Sequence, residues 1–489
     1  MSNIIHLVWL RGDLRLVDNQ ALNQAQAEAE KCGGVIHLIY LATPAQWHRH
    51  DMAAIQADLI YRRLEHLALQ AAALGMPFHY FEVSDYRAQV AQLLRWAKQQ
   101  SVHAVYANVQ HWPYEKQRDA AVRQQLPNHI QQHWCDDVTL IAPGQVRNQQ
   151  GEMFRVFTPF YHQWRNRLRE LNCQPTPLPA AQGGALSVTS ISPFIMPRKD
   201  SSNWPVSDEA IHQVLTQFCQ ARLSQYGQDR DFPALEGTST ISPYLAIGAI
   251  SPRQCLAAAL MQTPDLFYFA PSGAERWLSE LAWREFYYHL MAAWPKLAKG
   301  RPFKAQGDVY WQVYDAQRLQ AWQQGMTGYV FVDAAMRALN ATGWMHNRLR
   351  MICASFLVKD LHIDWRYGER YFMQQLIDGD LASNNGGWQW AASCGCDAQP
   401  YFRIFNPISQ ARKFDPAGQF IRQWLPELAK VPDKFLFEPH AWAQKHGVML
   451  NYPTPIVEHR KQRELALARF EAAKQGVVTG SGAASEVLR

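Results

Sequence analysis

No apolar run in the 489-residue chain approaches the ~18 to 20 residues that a membrane-spanning helix needs, so no membrane association is expected. The N-terminus, MSNIIHLVWLRGD, lacks a basic region followed by a small-residue cleavage site, which points to a cytoplasmic protein. Cysteine offers little. The eight thiols, at 32, 135, 173, 219, 255, 353, 394 and 396, match no four-ligand zinc or iron–sulfur spacing, so reduced and mostly buried side chains are expected and no metal site. Cys394-Gly395-Cys396 alone is close-set, and a redox or metal pair there is the minor alternative. No G-x-G-x-x-G follows the first apolar run; Arg11-Gly12-Asp13-Leu14-Arg15-Leu16 stands there instead, which speaks against a standard dinucleotide site. Gly33-Gly34 precedes a strand and reads as a turn, and there is no internal repeat. Charge is only mildly one-sided: a net +6 leans toward a polyanionic partner without establishing one.

Tryptophan is what the chain has in excess. There are 18, and positions 277, 283, 294, 311, 322, 344, 365, 388 and 390 crowd into one quarter of the sequence. Base stacking, flavin contact or electron hopping would each use such a cluster, beyond packing alone. The length implies two or three domains. Over the first 140 or so residues, IIHLVWL (4–10), VIHLIY (35–40), PFHYFEV (77–83), VHAVYAN (102–108) and VTLIAP (138–143) read as buried strands. Helical spacing between them, as over 51–74, predicts a five-stranded, parallel, doubly wound sheet in an α/β domain over 1–143. The pattern loosens from 144, and 174–205 holds six prolines among small polar residues, which predicts a long linker over 144–205. Helical periodicity then takes over, predicting an all-α domain over 206–474, with helices at 207–224, 251–261, 274–293, 332–341, 345–359, 366–377 and 459–474. The tail, 475–489, is expected to be disordered.

Four constellations lie in the helical half. The stretch from Trp365 to Trp390 reads as a helix, an acidic turn at Asp378-Gly379-Asp380, a loop carrying Asn384, Asn385 and glycines 386 and 387, and a second helix opened by Trp388. Its glycines would let backbone N–H groups approach a flat or phosphorylated ligand, its asparagines add amide donors and acceptors, and its indoles can stack; an ordinary turn with core tryptophans is the plain alternative. Glu236-Gly237-Thr238-Ser239-Thr240-Ile241-Ser242 sets several hydroxyls just before a helix, either a phosphate cradle or an ordinary capped start. On one helix Trp277, Glu280, Arg284 and Tyr287 share a face that is poor core material, with Trp283 alongside; the carboxyl is either in a structural ion pair or kept for a ligand. Asn347, Arg348, Arg350 and Met351 could anchor phosphates and touch an aromatic ligand, or form a solvated basic helix end.

The runs HLVWLRGDLRLVDN, EGTSTIS, WLSELAWREFYYHL, TGWMHNRLRM and DWRYGERYFMQQLIDGDLASNNGGWQWAAS resemble, over 4–474, the DNA photolyase and cryptochrome family, and most of all the bacterial class I enzymes that repair cyclobutane pyrimidine dimers. The resemblance implies a Rossmann-like antenna domain and a helical domain that binds FAD in a folded form. Tyr226, Thr238, Ser239, Thr240, Ile241 and Ser242 match the segment that holds the phosphates. Arg350 and Asp378 match an ion pair beside the isoalloxazine, Asp380 a partner of the ribityl and ring region, and Asn384 the residue facing flavin N5; Trp277, Glu280, Arg284 and Asn347 complete the expected cofactor set. Trp388, Trp365 and Trp311 match an electron-carrying chain of indoles. Glu280 matches the carboxyl that contacts the dimer, Trp283 and Trp390 the walls of its pocket, and Met351 a further contact; Glu280, Asn384 and Met351 are the expected catalytic residues. Arg230, Arg284 and Arg348, with Asn347, match groups that contact DNA phosphates or the lesion.

The family's (6-4) enzymes carry histidines where this chain has Asn347 and Met351, and neither of those relays a proton, so a cyclobutane dimer is the expected substrate. The expected reaction is light-driven electron transfer from reduced FAD to a dimer flipped out of DNA, carried out by a monomer. A cryptochrome-like blue-light receptor and a DASH-type enzyme acting on single strands are the alternatives; receptors of that kind append long tails, and about 15 residues follow the last helix here. Class I enzymes commonly hold a folate antenna near the strand ending at 106–110, contacted by an acidic residue soon after. Here His111-Trp112-Pro113 stands at that place and Glu115 follows, which leaves a folate, another chromophore or nothing as open readings.

Overall fold

A computed structural model describes residues 4–171, 173–267, 272–304 and 314–475. Trp311 and the expected tail from 476 lie outside the described residues. Five parallel strands, β1 (Ile5–Leu10), β2 (Val35–Ala42), β3 (Phe78–Glu82), β4 (Ala104–Asn108) and β5 (Gln131–Cys135), form one sheet in the order β3-β2-β1-β4-β5. Helices Gln20–Cys32, Ala54–Ala73, Tyr86–Gln99 and Pro113–Gln125 connect them. Leu7, Trp9, Ile39, Leu41 and Val105 are buried in a core with Val90, Leu93, Trp96 and Val122 of two of those helices. The strand count was legible, but the fifth strand is not 138–143. The apolar segment there is irregular, and the N–H groups of Leu140 and Ile141 are satisfied by the buried Glu285 carboxylate rather than by a neighbouring strand. The true β5, the polar QQHWC, is an edge strand pairing with β4 alone, so it lacks the apolar signature of a central strand.

Strand order reverses between β1 and β4, where ligands of such sheets ordinarily sit. Beyond those strand ends the chain's own polar groups pair with one another. Arg11 bridges Asp119 at 2.8 Å, and Asn108 donates to Asp13 at 2.6 Å and to Asn19 at 2.8 Å.

The packing divides the chain elsewhere than at the expected boundaries of 143 and 205. One compact unit comprises 1–227, 239–298 and 377–380; the other comprises 228–238, 299–376 and 381–489. The reason is charge buried in the first unit. Arg15 and Arg253 both bridge Asp137, Arg253 also bridges Asp18, and Asp18 accepts from Ser251, so the chain after β1, the chain after β5 and the Pro252–Gln262 helix share one interior. The expected linker is also not structureless: Phe157–Glu170 is a helix whose Trp164 is fully buried and donates to Glu285 at 2.6 Å.

Among its described residues the second unit is helical, around Trp322, Phe331, Leu339, Ile352, Phe356, Trp365, Phe372 and Trp388. The helix expected over 345–359 is α-helical over Asn347–Ser355 and widens to a π-helical turn over Phe356–Asp360. The expected asparagine-glycine loop is corrected as well. Leu381–Ala391 is one continuous helix, so Gly386 and Gly387 sit in its interior rather than presenting free N–H groups, and Trp388 does not open it. No described helix is long and apolar enough to cross a membrane.

Candidate active site

In the first unit the site begins with the Gly273–Ala293 helix, started by Ser272, whose side chain accepts from Glu275 N. Gly273 is required there, because a Cβ would run into the carbonyls of Leu223 and Ser224. One turn on, Trp277 is 3% exposed and donates to Ser239 Oγ at 3.3 Å. Phe218 lies 5.5 Å from the Trp277 ring and 5.8 Å from that of Tyr226, so two of the expected cofactor residues flank one aromatic ring. Thr240, in the left-handed region at φ 49°, donates to Ser239 O at 2.8 Å. A non-glycine residue held there costs on the order of 1 kcal/mol and is typical of a backbone bent for function.

The acidic turn is held at each of its three residues. Asp378 accepts from Ser242 Oγ at 2.7 Å, Gly379 O accepts from Gln56 Nε2 at 2.9 Å, and Asp380 accepts from Tyr288 OH at 2.6 Å. Arg284, expected at DNA phosphates or the lesion, is turned inward instead. It donates to Val138 O at 2.8 Å and Tyr288 OH at 3.2 Å and lies 4.4 Å over the Tyr288 ring, which makes it a brace for the residue that holds Asp380. Glu280 is half-buried on the same helix, and Trp283, expected as a pocket wall, stacks on Phe157 at 3.7 Å and 8°. The neighbouring Glu285 carboxyl is pushed up to about 7 by burial, although Leu140 N, Trp164 Nε1 and Ile141 N all donate to it. Sequence reasoning does not single out Tyr288 and Glu285; the signals available are the i+4 spacing of Tyr288 from Arg284 and the one glutamate inside WREFYYHL.

The second unit carries the other set. Gly237 lets the chain double back on Asp229, whose backbone a Cβ would meet at 2.8 Å. Arg348 bridges Asp231 at 2.9 Å, lies 4.5 Å over the Phe414 ring and points a guanidinium N–H at Met351 Sδ, 3.7 Å away. Arg230 reaches the same Asp231 at 3.8 Å. Asn347 is exposed in the first turn of its helix, and Arg350 Nε donates to Met345 O at 2.8 Å. Asn384 Nδ2 donates to Glu369 O at 2.9 Å, which fixes the amide with its carbonyl oxygen as the remaining acceptor. Trp365 is fully buried and Trp388 is 2% exposed; a Cβ at Gly368 would strike the Trp388 ring, so that glycine makes the room for the indole. Trp390 is half-buried against the unit's core.

His346 caps the Asn347 helix, its Nδ1 accepting from Arg348 N at 3.2 Å, so it is a structural acceptor rather than a proton relay. Burial pushes it down to about 4, and does the same to His289 and His362. Their folded values lie below the ~6.5 of an unfolded histidine, so the unfolded chain takes up protons first. The stability they confer is full above ~6.5 and is lost as the pH falls toward 4. Glu285, pushed up to about 7, and Asp360, pushed up to about 6 by burial, act oppositely in the same window but are outnumbered. A net loss of a few kcal/mol between pH 6.5 and 4.5 is expected in urea titrations, each histidine contributing up to ~3 kcal/mol; a flat profile would contradict these assignments.

Comparison with known proteins matches both parts of the sequence to one family. A family described as DNA photolyase matches residues 6–182, and one described as the FAD binding domain of DNA photolyase matches 277–472. The chain is 50% identical over 476 residues to the deoxyribodipyrimidine photo-lyase of Escherichia coli, covering 96% of this chain and 99% of that protein. It is 47% identical over 481 residues to the one from Vibrio cholerae, covering 96% and 100%. Among solved structures, a bacterial class III photolyase from Agrobacterium tumefaciens superposes with a TM-score of 0.81 at 32% identity, over 97% of this chain and 98% of that one. A cryptochrome from Synechocystis gives 0.80 at 27%, over 96% and 100%. With end-to-end identity this high and both domain families matched, the chain belongs to the DNA photolyase family and carries its FAD-binding domain.

Proposed function

We propose that this chain is a light-dependent lyase, acting as a cytoplasmic monomer, that repairs cyclobutane pyrimidine dimers in DNA. The observation that carries the reading is the 50% identity, along almost the whole of both chains, to a protein named deoxyribodipyrimidine photo-lyase. A cryptochrome superposes nearly as well as a photolyase, so the fold alone does not separate receptor from enzyme.

The residues suit FAD. Thr238, Ser239, Thr240 and Ser242 offer hydroxyls to phosphates, with Tyr226, Ile241 and Trp277 as apolar neighbours, and Arg350, Asp378 and Asp380 supply charge for the ring and ribityl region. When bound and reduced, FAD supplies the photoexcited electron that splits the cyclobutane ring and then takes it back. The anchored acidic turn keeps its carboxylates from swinging, and the fixed Asn384 amide presents an oxygen suited to an N–H donor of the reduced flavin. Trp388 and Trp365, with Trp311, relay electrons inward when the flavin is oxidised. Glu280 contacts the dimer, Met351, Trp283 and Trp390 pack against it, and Arg230, Arg348 and Asn347 meet DNA phosphates or the lesion.

Glu280→Ala tests the assignment. The repair quantum yield for a thymine dimer is expected to fall about tenfold, the scale of one hydrogen bond to a charged group, with FAD still bound. Loss of the flavin, or an unchanged yield, would show that Glu280 does not serve the lesion. An oligonucleotide carrying a (6-4) photoproduct is expected to remain unrepaired under the same light.

A further inference from the structure

The family implies a folate antenna whose pterin is met by an acidic residue soon after the fourth strand, and the residues present here do not fit that group. β4 ends at Asn108, and Trp112 occupies the N-cap of the Pro113–Gln125 helix. An indole carries an N–H donor and no acceptor, so it cannot receive the N–H donors on the amino edge of a pterin. Nor is the ring idle. Its centroid lies 4.8 Å from that of Tyr288 at 55°, and Tyr288 is the residue whose hydroxyl holds Asp380 and meets Arg284. Swinging Trp112 aside for a ligand would uncover the brace of the acidic turn.

The carboxylates nearby are engaged. Glu115, 8% exposed in the first turn of the same helix, accepts from Tyr86 OH at 2.7 Å. The Tyr86 ring lies 5.0 Å beneath the Arg118 guanidinium, which bridges Asp119 at 2.7 Å. Asp136, beyond β5, lies 3.3 Å from His111 Nε2, and that hydrogen bond holds its carboxyl below the usual range. Each carboxylate around the strand end, Glu115, Asp119 and Asp136, thus already has a partner within the chain, and the position where an acceptor is needed carries an indole.

We propose that Trp112 closes the folate subsite of the first domain, and that the protein harvests light without a folate. The inference rests on the family assignment but not on the repair reading, because repair driven by direct flavin excitation needs no second chromophore. The experiment adds methenyltetrahydrofolate to the purified, FAD-loaded full chain, removes free ligand by gel filtration and reads the absorbance and emission of what remains. The wild type is expected to keep FAD and no folate. Trp112→Glu, which puts a carboxylate at the helix start where its charge is favoured, is expected to bind folate about tenfold more tightly or better, the scale of one charged hydrogen bond. A far-ultraviolet circular dichroism spectrum that matches the wild type's shows that it has folded. Stoichiometric folate on the wild type overturns the proposal, and equal exclusion of folate by wild type and variant overturns the role given to Trp112.

Discussion

Asp137→Ala is expected to destabilise the protein by about 3–5 kcal/mol, a large part of the ~5–15 kcal/mol that holds an ordinary domain together. Asp137 is 1% exposed and receives the guanidinium groups of both Arg15 and Arg253. A buried ion pair is weak evidence for net stability, since desolvation of both partners offsets their attraction. Removing one partner is different, because the remaining charge stays buried with nothing to balance it. Here Asp137 shares Arg253 with Asp18 but is the carboxylate that meets Arg15, so its removal leaves the buried Arg15 guanidinium with the carbonyl oxygens of Asp18 and Gly248 alone. Urea unfolding of the variant measures the loss, and a change below ~1 kcal/mol would mean that water reaches the network.

Trp388→Phe is expected to abolish most of the photoreduction of oxidised FAD while leaving repair by chemically reduced protein largely intact. The ring sits in the core of the second unit, 4.9 Å from Phe372 and 6.0 Å from Trp322, over the space left by Gly368. A phenyl ring fits that space with a modest loss of packing, so the fold and the cofactor are retained. What is lost is the indole, which yields an electron far more readily than a benzene ring. Flash photolysis of the oxidised protein with an external reductant measures the first effect, and dimer repair after dithionite measures the second. Unchanged photoreduction would take Trp388 out of the relay; loss of both activities would make its role structural.

The strand pattern of the first 140 residues was legible because central parallel strands are apolar on both faces. It failed at β5, whose edge position tolerates the polar QQHWC, and at 138–143, whose backbone bonds go to a side chain 145 positions away in sequence. The Phe157–Glu170 helix was hidden by its setting in a loosened stretch, although Phe160, Tyr161, Trp164 and Leu168 give a helical spacing. Gly386 and Gly387 suggested a loop on propensity, and tertiary packing of Trp388 and Asn385 carried the helix through them. In the site, the resemblance named residues that would touch a ligand but not those that hold them. Tyr288 and Gln56 hold the acidic turn from segments far away in sequence, and the pairing across such distances is not written in either segment.

The central claim is that this chain uses light to split cyclobutane dimers in DNA. The most direct measurement is the recovery of thymine absorbance from a duplex oligonucleotide with one defined thymine dimer, mixed with the reduced protein and exposed to blue or near-ultraviolet light. Recovery that depends on illumination, on flavin reduction and on the protein is predicted. No recovery in the light, or equal recovery in the dark, would contradict it.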